Sequence, residues 1–382
     1  MSIFDLLNME KENNRRKFLK SLSLAAAGGV LSAKTGNAMS MEMPKEKVIK
    51  KIKPLGFQWE TQDPFIFCVH HEDFFPEGNE RMGPKTGLNG RHLGQDFIVK
   101  DGYRMYHGHE VPGFPGHPHR GFETITVVRK GFVDHSDSAG ATARYGNGDV
   151  QWMTAAKGLQ HAEMFPLIHE DQPNTMELFQ IWLNLPKKSK MLEPHFKMLW
   201  SEQIPKKTVQ DNNGKNIYLE VIAGQLDNET APTPAPNSWA ADAEHDVAIW
   251  NIKLDAGAQY LLPPAKTETN RSIYFYEGNL MHLNEQELKH YHQAEVQSDT
   301  AILLTAGNEP CSILVLQGQP INEPVVQHGP FVMNTREEIQ QTFEDYQATQ
   351  FGGWPWPKID PVHDRKAGRF AKHADGREEI MG

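Results

Sequence analysis

Cysteine is scarce: Cys68 and Cys311 are the only two in 382 residues, and they stand far apart in the chain. That leaves no thiolate set for a structural zinc and no disulfide framework. Cys68 sits inside the apolar run from Phe65 to Val69 and reads as a small core residue. An excess of positive charge is also missing. The formal net charge is −10 at pH 7 and the Lys and Arg residues are dispersed among acidic ones, so the electrostatic footprint of a nucleic-acid binder is absent. No apolar run reaches the roughly 20 residues that a membrane-spanning helix needs. Neither a helix-strand alternation nor a phosphate-binding glycine loop is present, which argues against a doubly wound fold.

The first 38 residues stand apart from the rest. A basic segment (Lys11, Arg15, Arg16, Lys17, Lys20) precedes a weakly apolar stretch from Leu22 to Leu31, then small residues up to Ala38, the layout of a signal peptide. Within it, Asn14-Arg15-Arg16-Lys17-Phe18-Leu19-Lys20 is similar to a twin-arginine (Tat) signal. The expectation is export by the Tat machinery to a bacterial periplasm, with the chain folded and its cofactor loaded beforehand, and no membrane span once the leader is cleaved. A polar, Lys-rich linker is expected over 39–53.

Beyond it, short β-patterned segments alternate with Gly, Pro, Asp and Asn: Pro64 to Val69, Phe122 to Val128, Asp149 to Met153 and Leu178 to Leu185, then a second series from Ile217 to Gln317. A Gly-rich stretch from Pro76 to Gly116, carrying His92, His107 and His109, reads as a long covering loop, and its histidines are left out of the ligand set. From Thr335 an amphipathic helix is predicted, capped by Asn334 or Thr335 and stopped by Gly352 and Gly353. The Trp354-Pro355-Trp356-Pro357 tail is read as packing on the domains. The fold class predicted is all-β: two antiparallel β-barrels or jelly rolls, over 54–200 and 201–334, with a C-terminal helix and tail over 335–382.

Two pairs of residues carry chemistry. His117-Pro118-His119 puts two imidazoles at i and i+2, on one face of a strand. His161-Ala162-Glu163 repeats the spacing after Gly158, and a barrel brings such distant strands side by side. Three neutral nitrogens and one carboxylate oxygen suit Fe(II), Mn(II), Ni(II), Cu(II) or Zn(II), with open positions for substrate and oxygen on a six-coordinate ion.

The string from Gly113 through His117-Pro118-His119-Arg120-Gly121-Phe122-Glu123 to Thr124, the segment Gly148 to Ala155 and the segment Gly158 to Glu163 resemble the two cupin motifs as the pirin family carries them. Glu323-Pro324-Val325-Val326-Gln327-His328-Gly329-Pro330-Phe331-Val332-Met333-Asn334-Thr335 is similar to the pirin C-terminal signature. The resemblance implies a bicupin with one metal, Fe(II) first among the candidates, held in the N-terminal domain by His117, His119, His161 and Glu163, and a metal-free second domain. Glu123 fills the position from which cupins in general take their carboxylate ligand; the pirin pattern favours Glu163 and leaves Glu123 beside the ligands.

The activity implied is dioxygenation of the quercetin 2,3-dioxygenase kind, with a phenolic substrate and O2 as partners. Glu163 or Glu123 would accept the substrate's hydroxyl proton, and Phe114, Phe122, Trp152, Met153 and Phe179 offer an apolar wall of which at most two touch substrate. The alternatives are a non-catalytic metal or redox sensor, or another cupin reaction on a small acid, such as isomerisation or a lyase step.

Overall fold

The computed structural model describes residues 47–382, so the leader and its Tat motif lie outside the described residues. The regular structure of the described chain is nearly all strand, every ladder antiparallel, with a single α-helix, Arg336–Thr349. No helix among the described residues is long and apolar enough to cross a membrane.

The strands build two barrels of like design. In the first, a six-stranded sheet (strands His195–Leu199, Val150–Thr154, Phe122–Lys130, Asn174–Asn184, Phe65–Phe75 and Gln58–Trp59) faces a second sheet of Thr142–Gly146, Phe132–Asp137, Leu159–Met164 and Gly113–His119. In the second barrel a seven-stranded sheet faces a four-stranded one ordered Gln259–Leu262, Ile302–Ala306, Leu280–Leu283, Gln286–Lys289.

Alternation along each strand sorts side chains between two cores. On Ala248–Leu254, Trp250, Ile252 and Leu254 fill the second barrel, whereas Ile249 joins Ile125, Val127, Trp152 and Phe179 in a layer between the barrels. Trp59 stacks on Tyr274 across this layer at 5.1 Å. Exposing about five such side chains would cost roughly 8–15 kcal/mol, comparable with the stability of a whole domain, so the barrels form one unit.

The first and last described strands are exchanged between the barrels, which the sequence did not suggest. Ile49–Pro54, expected as linker, pairs with His292–Val296 at the edge of the second barrel's large sheet. Its lysines suit an edge strand, whose outer side and rim meet water. The C-terminal tail returns to the first barrel: Arg369–Lys372 pairs with Thr142–Gly146, and Glu378–Met381 adds beyond it. The helix begins at Thr335, whose side chain accepts from the Glu338 amide while Glu338 reaches back to the cap, a full capping box. It ends at Gln350 in the left-handed region, before the glycines expected to stop it.

Candidate metal centre

His117 and His161 are direct cross-strand partners on Gly113–His119 and Leu159–Met164. With His119, two positions on, they form a group whose candidate ligand nitrogens all lie within 4.8 Å of one another. Two nitrogens sharing one ion at about 2.1 Å each stand at most about 4.2 Å apart, so a small ring rotation closes the set.

Three rings this close, two of them buried, demand an explanation. His119 and His161 have both ring nitrogens buried without a hydrogen-bond partner; His119 faces the Pro330 carbonyl without a bond of good geometry. Each orphaned buried polar group costs roughly 1–3 kcal/mol. Burial pushes His119 and His161 well below their ordinary pKa and His117 down to about 4, so all three are neutral at pH 7, the form that coordinates a cation. His117 Nδ1 lies 2.9 Å from the Pro115 carbonyl, which fixes the tautomer and leaves Nε2 for the ion. The residues present therefore fit a divalent metal.

Glu163 stands beside this group, outside the set whose ligand atoms all lie within 4.8 Å of one another. Its Oε2 is 3.7 Å from His161 Nε2. Thr126 donates to Oε1 at 2.8 Å, Tyr145 reaches the same oxygen at 3.5 Å, and Gln180 donates to Oε2 at 3.2 Å. Burial raises its pKa against the pull of these donors.

Glu123 is elsewhere. The sequence places it on the same strand face as His119, but Gly121 interrupts the strand with φ +88°, and the Val332 carbonyl comes so close that a Cβ there would sit 1.9 Å from it. The alternation restarts at Phe122. Phe122 and Thr126 then face the histidine side, and Glu123 faces the second barrel with Ile125 and Val127. Its carboxylate accepts from Trp152 at 3.1 Å, from Thr154 at 2.6 Å and from Ser238 of the second barrel. Neither a ligand role nor proton transfer to a substrate at the histidines is open to it.

The expected apolar wall divides in the same way. Trp152 and Phe179 belong to the layer between the barrels, and Met153 packs with Ala155 and Leu159. Phe122 lies 5.1 Å from the His119 ring and 4.4 Å from Trp182, while Phe114 lies 6.3 Å from His117.

Several neighbours carry no clear sequence signal. His135 is opposite Glu163 on the adjacent strand, fully buried, 3.2 Å from Asp137 and stacked on Phe196. Its only hint is the alternation His135-Ser136-Asp137. The tail reaches the centre too: Gly116 donates to the Ile359 carbonyl at 2.7 Å, and the Ile359 side chain covers the space where a residue-116 Cβ would be. Of the loop histidines, His92 and His109 are exposed, whereas His107 packs against Phe97 and Phe114 and its charge would disfavour a proton on His117.

Comparison with known proteins points to one family. The family model described as "Pirin" matches residues 58–183, and that described as "Pirin C-terminal cupin domain" matches 249–352. "Putative quercetin 2,3-dioxygenase PA2418" of Pseudomonas aeruginosa is 37% identical over 239 residues, which cover 63% of this chain and 79% of that protein. Human "Pirin" is 34% identical over 263 residues, covering 67% of this chain and 82% of its own length. Among solved structures, a quercetin 2,3-dioxygenase from Acinetobacter baumannii superposes with a TM-score of 0.62 at 26% identity, covering 80% of this chain and 98% of the other. With both cupin domains matched in order and relatives above 30% identity over most of their length, this chain belongs to the pirin family.

Proposed function

We propose that the protein is a metal-dependent dioxygenase of the quercetin 2,3-dioxygenase type, acting on a flavonol or related phenol with O2. The observation that carries the reading is the set of three neutral, closely grouped imidazoles beside one buried carboxylate, in a chain whose relatives include proteins named for that activity. A divalent ion there, iron first among the candidates, would supply Lewis acidity toward an ionisable phenol and a site for O2.

The chain's own groups do the rest. His117, His119 and His161 present nitrogens from adjacent strands. Among the described residues Glu163 is the one carboxylate paired within 4 Å of these rings, and it is the group that takes the phenolic proton or completes the ligand set. Its raised pKa brings it closer to that of an acidic phenol, which favours reversible transfer. Thr126, Gln180 and Tyr145 hold it against rotation. Phe114 and the Phe122–Trp182 pair offer flat apolar surfaces to a planar ligand.

The test is aerobic turnover of quercetin by the Fe(II)-loaded chain, with released carbon monoxide measured beside His119→Ala. Equal activity in the variant would remove the metal from the mechanism, and a loaded chain inert on every flavonol would favour a sensor or another cupin reaction. We further propose that residues 1–38 direct Tat export. A reporter fused to them should reach the periplasm, and Arg15→Lys with Arg16→Lys should abolish this.

A further inference from the structure

A second site is formed where the edge strand His195–Leu199 meets the C-terminal hairpin and a loop of the second barrel. The cavity there has a volume of about 610 Å3, in the range of small-molecule pockets. It opens along the edge of the sheet and takes residues from both faces of the strand: Phe196 stacks inward on His135, while His195 and Lys197 alternate outward beside Thr154 and Trp152.

The charges in this cavity are unbalanced. His195, Lys197 and Arg377 line it, with His373 beside Arg377, against the single carboxylate of Glu379. That carboxylate is already committed: His373 and Arg377 lie against Oε1, and Trp200 donates to Oε2. Among the described residues no carboxylate comes within 4 Å of the Lys197 ammonium, and none pairs with His195. Burial, then Arg377, push Lys197 down against the pull of Glu379; burial, then Lys197, His373 and Arg377, push His195 down, toward its neutral form. Arg377 has Glu379 as its counterion and Lys197 has, among the described residues, no carboxylate within 4 Å, an excess positive charge that a bound anion relieves. The facing wall is apolar, made by Ala231, Pro232 and Pro236, and Leu199 adjoins Lys197 on its own strand.

We infer that this cavity binds an organic carboxylate, its anionic head between Lys197 and Arg377 and its apolar body against Leu199, Pro232 and Pro236. The head needs two donors in different directions, which the ammonium and the guanidinium supply. The wall of prolines and leucine selects against a bare inorganic anion. This site is independent of the metal and of the reaction proposed for it.

Calorimetric titration of the full-length chain with 2-naphthoate tests the assignment, with 2-naphthamide and inorganic phosphate as the other arms. Naphthoate should bind, the neutral amide should not, and phosphate should fail to compete at equal concentration. Lys197→Met and Arg377→Met should each weaken naphthoate at least tenfold, and Lys197→Arg should restore most of the binding. Because Arg377 also contacts Glu379, the Lys197 pair decides if Arg377→Met loses its fold. Amide binding as tight as naphthoate, phosphate displacing it, or undiminished affinity in Lys197→Met would each overturn the inference.

Discussion

The two barrels share one strand order and differ in what fills them. The first barrel's small sheet runs Thr142–Gly146, Phe132–Asp137, Leu159–Met164, Gly113–His119, and the second's runs Gln286–Lys289, Leu280–Leu283, Ile302–Ala306, Gln259–Leu262. Where the first sets His117 against His161, the second pairs Tyr260 with Leu304 and Leu262 with Ile302. Leu262, Leu283, Ile302 and Leu304 are fully buried in one apolar cluster. The same backbone can thus close its interior with hydrocarbon, at a gain of roughly 1.5–3 kcal/mol per large side chain, or leave it polar and depend on a ligand for compensation. The unpartnered imidazoles of the first barrel have the grouping that an ion would complete.

The largest way to break that contrast is to remove a ligand. His161→Ala should reduce metal content in the loaded chain to background and abolish turnover, while the chain stays folded, because the change deletes two orphaned nitrogens along with the ring. Metal analysis with circular dichroism checks it. Full occupancy in the variant would mean that the three rings do not share an ion. Next in size, Glu163→Gln keeps the bonds from Thr126 and Tyr145 but loses the charge and the proton acceptor. Turnover should fall by roughly 100-fold or more, the usual contribution of a general base. An unaltered rate would leave Glu163 only a structural role.

From the other side of the comparison, Leu304→Ala should destabilise the fold by roughly 2–5 kcal/mol through a cavity in the second barrel and leave metal stoichiometry at one per chain. Urea denaturation and metal analysis on one sample give both readings. A loss of metal would show that the barrels are coupled through the apolar layer between them.

How much of this was legible in the sequence depends on range. His117, His119, His161 and Glu163 could be read because each pair obeys a local rule, two residues per strand repeat, and the structure groups the three histidines with Glu163 3.7 Å from His161. The same rule misplaced Glu123, since it takes the strand as unbroken through Gly121, and a left-handed residue resets the alternation. Ile49–Pro54 and Arg369–Lys372 were hidden for another reason. Both are short, charged strands, the first at a sheet edge and the second one strand in from it, whose long-range partners, His292–Val296 and Thr142–Gly146, lie far away in the chain, and no local pattern distinguishes such a strand from a linker. His135 and Ile359 approach the centre only through that long-range pairing and tail packing.

The smallest effect separates the two buried carboxylates, Glu163 and Glu123, which lie toward opposite faces of one sheet. Burial pushes Glu123 up from its ordinary 4.5 to about 7, although Ser238, Thr154 and Trp152 all donate to it and pull the other way. Between those values the folded chain holds a proton that the unfolded chain has released. Its contribution is therefore full below about pH 4.5 and is lost as pH rises through 7, a change on the order of 3 kcal/mol. Glu123→Gln is close to isosteric, stays neutral, and can still accept from Thr154. Relative to the wild type, the variant should gain stability steadily from pH 4.5 to 8, measured by urea denaturation at each pH, with quercetin turnover unchanged at pH 6. Parallel stability curves would mean that the three donors outweigh burial and that Glu123 is ionised throughout. A fall in turnover as large as that of Glu163→Gln would instead mean that Glu123 acts at the metal face, against the geometry of the Phe122–Lys130 strand.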